Sequence, residues 1–140
     1  MAQQRFVDDY LLYLLARASH VASAGFHARL KTRGVSVPVW RVVATLAGSA
    51  RGETVGTLAA ACLMQQPTMT KLLDRMEADS LVRRQREGRQ MRVLLTRPGQ
   101  VLADELIDEA RRHEAELLER HAEAAPALKQ LLREIVGPST

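Results

Sequence analysis

At 140 residues, 46% of them hydrophobic, the chain fits one domain able to enclose its own core. A single cysteine, Cys62, excludes an internal disulfide framework and fits a reducing cytoplasm. The start of the chain lacks the hydrophobic core of a secretion signal and no apolar run approaches membrane-spanning length, so a cytoplasmic protein is expected.

In chain order, with no internal repeat or low-complexity stretch, the spacing predicts a first helix from about Asp8 to Thr32. Tyr10, Leu11, Leu14, Leu15, Ala18, Val21, Ala22, Phe26 and Leu30 form its apolar stripe, and Gly34 is placed as its stop. Ser36 can cap a second helix running through about Ala47, with Pro38 in its first turn and Trp40, Val43, Ala44 and Leu46 available to a core. Thr54 can cap a third helix, about Val55–Leu63. It leads by a short turn into a fourth within Met64–Ser80, so that the two form a helix-turn-helix in which Ala59, Ala60 and Ala61 allow close packing. In the fourth helix Met69, Leu72, Leu73 and Met76 share one face with the following Leu81. Gln65, Gln66, Thr68, Thr70, Lys71 and Arg75 lie on or near the other, with Pro67 suited to the first turn. Polar side chains of these types can read base edges.

After Ser80 the period changes to two, suggesting two short strands that turn near Gly88. Between Arg83 and Arg97 stand six arginines against one acid, Glu87. Thr96 then caps a fifth helix reaching about His121, with Pro98 in its first turn, and Pro126 restarts a final one carrying Leu128, Leu131, Leu132, Ile135 and Val136. These terminal helices have more apolar surface than a small winged domain can cover, and burial against a second copy is the simplest outlet.

Charge is distributed as unevenly as the apolar residues. The formal net charge is +4, yet from Asp104 to Glu134 nine acids outnumber five bases, so positive charge concentrates upstream. Of 20 basic residues 17 are arginines, able to fork onto guanine or phosphate, although genome composition produces the same bias. An isolated basic run reads as a solvated hairpin. Placed directly behind a helix with a polar face, it reads as DNA binding.

The order SVPVWRVVATL, TVGTLAAACLMQQPTMTKLLDRMEADSLVRR and REGRQMRVLLTRPG resembles the MarR family of winged helix-turn-helix transcriptional regulators over nearly the whole chain. Its most specific parts are LLDRMEADSLVRR and VLLTRPG. The resemblance implies a mainly α fold, an α+β winged helix-turn-helix with a two-stranded β-wing. Residues 35–97 would bind DNA, and helices from 1–34 and 98–140 would interlock in a homodimer within a single domain overall. It implies a recognition helix in Met64–Ser80 and a ligand-responsive repressor on a pseudo-palindromic operator. The wing arginine corresponds to Arg89. Glu87-Gly88-Arg89 stands where the family has Asp-x-Arg, which implies a Glu87–Arg89 pair. The wing is also a few residues shorter than usual, and Gly88 replaces what is commonly another arginine. Weaker minor-groove reading is therefore expected, with more reliance on Arg83, Arg84 and Arg86 for phosphates.

Members of that family often respond to small, frequently anionic aromatic compounds held between the dimerisation helices and the winged domain. Region for region, this implies Tyr13, Arg17, His20, Trp40, Arg41 and His113 as candidate contacts; Trp40 also reads as core and Arg17 as a solvated or salt-bridged side chain. Cys62, preceded by alanines, reads as a buried inert thiol rather than a redox sensor. No cofactor or metal is expected, because Glu109 and His113, one turn apart, read as a surface contact and no histidine pair is spaced to share an ion. No phosphate loop, HExxH or nucleophile elbow points to an enzyme. The reading from another class is a dimeric protein-interaction scaffold whose basic hairpin docks an acidic protein.

Overall fold

Residues that resist helix geometry decide where each element of this chain stops. The computed structural model describes residues 3–138 and divides into two units that meet in sequence at Val35 and Ser36. In the first, Phe6–Asp9 winds as a 3-10 turn, closed by the Arg5–Asp8 ion pair at 3.1 Å and by stacking of the Phe6 and Tyr10 rings at 4.9 Å. Tyr10 is extended, so helix α1 begins at Leu11 rather than at the predicted Asp8 and runs to Thr32. Gly34, at φ +70°, ends it. The Val35 N–H reaches the Leu30 carbonyl and the Gly34 N–H that of Lys31, each at 3.0 Å, which satisfies carbonyls the helix leaves open. Phe26 and Leu30 are buried, whereas Leu11, Leu12, Leu14 and Val21 stay exposed.

The second unit begins with α2, Val37–Leu46, where Ser36 Oγ accepts from the Val39 N–H at 3.3 Å and Pro38 occupies the first turn. Strand β1, Glu53–Thr54, leads directly into α3, Val55–Ala61, capped by Thr54 Oγ1 at 3.2 Å from the Thr57 N–H. Helix α4 spans Gln66–Ala78, and strands β2, Val82–Glu87, and β3, Gln90–Leu95, form a hairpin. Thr96 Oγ1 caps α5, Arg97–Leu118, accepting from the Gly99 N–H at 3.1 Å. A 3-10 turn, Glu119–His121, continues α5 over the stretch predicted as its end, and α6 follows at Ala125–Val136.

The sheet is antiparallel with strand order β1-β3-β2, so the predicted two-stranded wing carries a third strand at its base. β1 has only two residues, Glu53 opposite Val93 and Thr54 opposite Arg92, and shows no alternation that could announce it. Gly52 makes this approach possible. At φ +72°, a Cβ on it would fall 2.2 Å from the Val93 carbonyl oxygen.

The core of this unit gathers Val42, Val43 and Leu46 of α2, Leu58 and Cys62 of α3, Met69, Leu73 and Met76 of α4, Val82 and Val93 of the sheet, and Leu106 of α5. Each large side chain so buried contributes about 1.5–3 kcal/mol. Of the three alanines expected to bring α3 and α4 together, only Ala59 is buried. Both helices of this pair end as α1 does, but without glycine: Leu63 (φ +59°) and Ser80 (φ +61°) take the left-handed position. For a side chain as large as leucine that conformation costs about 1–2 kcal/mol. No helix among the described residues is long and apolar enough to cross a membrane.

Candidate nucleic-acid interface

Helix α4 divides along its length. Met69, Leu73 and Met76 are buried against the unit, while Gln65, Gln66, Thr68, Thr70, Lys71 and Arg75 are all exposed. Thr68, Lys71 and Arg75, spaced i, i+3 and i+7, form one outward strip. Pro67 lies in the first turn, and Gln65, at the N-cap, makes no side-chain capping bond. The Gln66 amide lies over α3, where a Cβ on Gly56 would meet its nitrogen at 2.7 Å.

The hairpin places its arginines by strand alternation. Val82 pairs with Leu95, Arg84 with Val93 and Arg86 with Met91, so Val82, Arg84 and Arg86 share the face of the buried Val93. Arg84 is therefore drawn inward. Its side chain is 24% exposed, with Nη2 donating to Asp74 Oδ1 at 2.5 Å and to the Thr70 carbonyl at 3.4 Å. Its own N–H donates to Glu77 Oε2 at 3.2 Å. Arg84, expected with Arg83 and Arg86 to contact phosphates, here straps β2 to α4. Arg83 is exposed and donates to Gln85 Oε1 at 3.1 Å. Lys71, Arg75, Arg86 and Arg89 have no side-chain partner among the described residues.

The expected Glu87–Arg89 pair does not form. Glu87 and Gln90 face each other across a two-residue turn of Gly88, at φ +62°, and Arg89. Arg89 thus sits in the turn itself, off the strand face that carries Gln85, Glu87, Gln90 and Arg92. On that face Arg92 Nε reaches Glu87 Oε2 at 3.1 Å, and Arg51, from the loop ahead of β1, reaches Oε1. Arg92 Nη1 also donates to the Gly52 carbonyl at 3.1 Å. One carboxylate near the wing tip thereby holds two guanidiniums and ties the tip to the loop before β1. Arg51 had no local signal in the sequence, because its partner lies in a strand far along the chain.

The candidate ligand contacts fall in both units. Tyr13, half-buried, and the exposed Arg17 and His20 lie on α1; Trp40 and Arg41 on α2 and His113 on α5 are half-buried, Trp40 less enclosed than a core reading expects. Within the second unit α2 packs on α5. A cavity beside this packing, about 680 Å³ and open to solvent, is lined by Ala47, Gln100, Asp104, Glu105, Asp108 and Arg111 among others and by none of these six candidates. Its excess of carboxylates disfavours an anion. Cys62 is buried, with Sγ 3.7 Å from Thr45 Oγ1. Burial pushes its thiol above the ordinary range, only partly offset by the Thr45 hydrogen bond and the Arg41 charge. A protonated, enclosed sulfur is a poor nucleophile, as the sequence suggested.

An outward polar helix face, a strapped hairpin and unpaired arginines at its tip form a surface suited to a groove and its phosphates. A model of the MarR family matches residues 33–93. The chain is 33% identical to the homoprotocatechuate degradative operon repressor of Escherichia coli, over 94% of this chain and 90% of the relative. Among solved structures it is similar to a MarR family transcriptional regulator from Silicibacter pomeroyi DSS-3, at 40% identity and a TM-score of 0.85 over 96% of this chain and 100% of that one. It is also similar to a MarR family protein of Mycobacterium tuberculosis, solved in complex with salicylic acid, at 28% identity and a TM-score of 0.73 over 93% and 98% of the two chains. With the winged helix-turn-helix and its sheet in place, the chain belongs to the MarR family of transcriptional regulators.

Proposed function

We propose that this regulator is a non-enzymatic cytoplasmic repressor that binds a pseudo-palindromic operator as a homodimer. The observation that carries the DNA contacts is the exposed strip of α4 lying in one unit with a hairpin whose Arg86 and Arg89 have no intramolecular partner. In this reading α4 enters the major groove, with Gln65, Gln66, Thr68, Thr70, Lys71 and Arg75 toward bases and adjacent phosphates. Arg83 and Arg86 contact the backbone, and Arg89 leads the wing toward the minor groove. Arg84 acts indirectly, by holding β2 against α4.

Residues 35–97 read DNA, and the helices of 1–34 and 98–140 pair two copies. Leu11, Leu12, Leu14, Leu128, Leu131 and Ile135 remain about half exposed in the single chain, and covering such surface is a driving force for association. A two-fold axis then sets half-sites about 10 bp apart. Repression is supported by the Escherichia coli relative. A small anionic aromatic effector is supported by the salicylic acid complex, with Tyr13, Arg17, His20, Trp40, Arg41 and His113 as its candidate contacts.

Competition between a duplex from the region upstream of the gene and random duplex tests the reading, since equal binding to both would favour an interaction module that merely tolerates DNA. Arg89→Ala is expected to weaken operator binding by about 10-fold or more, with the circular-dichroism melt and dimer mass unchanged; a lost fold would make Arg89 structural. Glu87→Gln gives a test by sign. It removes a negative charge beside a polyanion, so a purely electrostatic role for Glu87 tightens binding. Loss of the clamp that Arg51 and Arg92 make on it instead lets the wing move and weakens binding, by about 5-fold. We expect the weaker binding, read by fluorescence anisotropy at one salt concentration.

A further inference from the structure

We propose that Leu63, in the turn between α3 and α4, is a DNA contact that covers an apolar surface of the duplex, either a thymine methyl group or a deoxyribose face. The inference rests on α4 being the helix that reads DNA. Leu63 has φ +59° and is 80% exposed, a large apolar side chain held in a left-handed conformation and left in water. The turn does not need it. Backbone bonds alone close the motif, from the Leu63 N–H to the Ala60 carbonyl at 3.2 Å and from the Met64 N–H to the Ala59 carbonyl at 2.9 Å. Glycine would make both bonds without the Cβ penalty, as Gly34 does at the end of α1. A residue that costs backbone strain and returns no burial in the free protein gains its stabilisation in another state, and strain of this kind collects at functional positions.

The surroundings of Leu63 select DNA over a protein partner. Among the described residues from Ser36 to Thr96, the span proposed to read DNA, only Leu63 and Met91 are large exposed hydrophobics, so that span offers a protein partner little apolar surface to dock on. It stands just ahead of the exposed Gln65, Gln66 and Thr68 at the start of α4. A lone apolar group among polar readers matches the duplex, where the thymine methyl and the sugar are the apolar elements between hydrogen-bonding edges and phosphates.

The test begins by enriching duplexes from a random-sequence pool with the full chain; failure to enrich any would strike the DNA reading itself. On an enriched duplex, Leu63→Gly and Leu63→Asn are expected to bind about 10-fold more weakly, with melting temperatures unchanged or raised by a few degrees. Leu63→Met should retain affinity. Wild-type affinity in Leu63→Gly overturns the proposal, as does weakened binding accompanied by a lower melting temperature in both the Gly and Asn variants, which would make Leu63 structural. Replacing thymine by uracil in the duplex separates the two surfaces. If wild type weakens and Leu63→Gly does not, the methyl group is the contact; if neither weakens while Leu63→Gly remains the poorer binder, the contact is the sugar.

Discussion

Gly99→Ala is expected to destabilise the protein by about 3 kcal/mol and to lower its melting temperature by roughly 10 °C. Helix propensity alone predicts the opposite, since alanine in place of glycine favours a helix by about 1 kcal/mol. Packing reverses the sign. A Cβ on Gly99 would lie 1.9 Å from the Leu81 carbonyl oxygen and 2.9 Å from its carbon, backbone atoms that no rotamer change can move, with Leu95 Cδ2 at 3.2 Å behind them. The same carbonyl accepts from the Thr96 N–H at 3.1 Å, while Thr96 Oγ1 donates to the Ser80 carbonyl at 2.5 Å and caps α5. The first turn of α5 is thus seated on the turn that joins α4 to the wing. Displacing it would also disturb the angle between helix and hairpin. A thermal melt by circular dichroism checks the prediction, and a melt equal to or above wild type would mean the junction relaxes freely.

The second large effect is on binding. A dimer that neutralises on the order of 6–10 phosphates should lose about three to five orders of magnitude in operator affinity between roughly 50 and 200 mM salt. Arg86→Ala should lower the log–log slope by about two, roughly one for each copy in the dimer, because Arg86 is exposed and spends its charge on no neighbour. Arg84→Ala should act differently. Its guanidinium is committed to Asp74, so its removal should show chiefly in affinity, through the placement of β2, with little change of slope. Titrations at several salt concentrations give all three slopes. A wild-type slope near zero would remove phosphate neutralisation, and with it the DNA reading.

Local chemistry was legible in the chain wherever one residue suffices to set a boundary. Ser36, Thr54 and Thr96 cap α2, α3 and α5 as their hydroxyls and positions suggest, Gly34 ends α1, and Gly88 turns the wing. The buried stripe of α4 follows from periodicity, and the buried setting of Cys62 agrees with the reading from its apolar neighbours. Boundaries blurred where competing local structures are nearly equal in energy, as at Phe6–Asp9 and Glu119–His121, where 3-10 turns replace α-helical ones.

Sequence by itself determined the order of the helices and the wing hairpin, the polar face of α4 and the density of arginine behind it, because these depend on spacing within a few residues. Only the tertiary structure decided which charges are free. Arg84 lies on the face of Val93 and is drawn to Asp74. Glu87 meets Arg51 and Arg92 across the sheet and not its near neighbour Arg89. Strand β1 and the close seat of Gly99 are likewise products of approach between distant segments. The physical reason is common to all of them. Ion pairs and backbone contacts over long sequence separations depend on the register and on which face of a strand a residue occupies, and a single chain pattern holds neither until the elements pack.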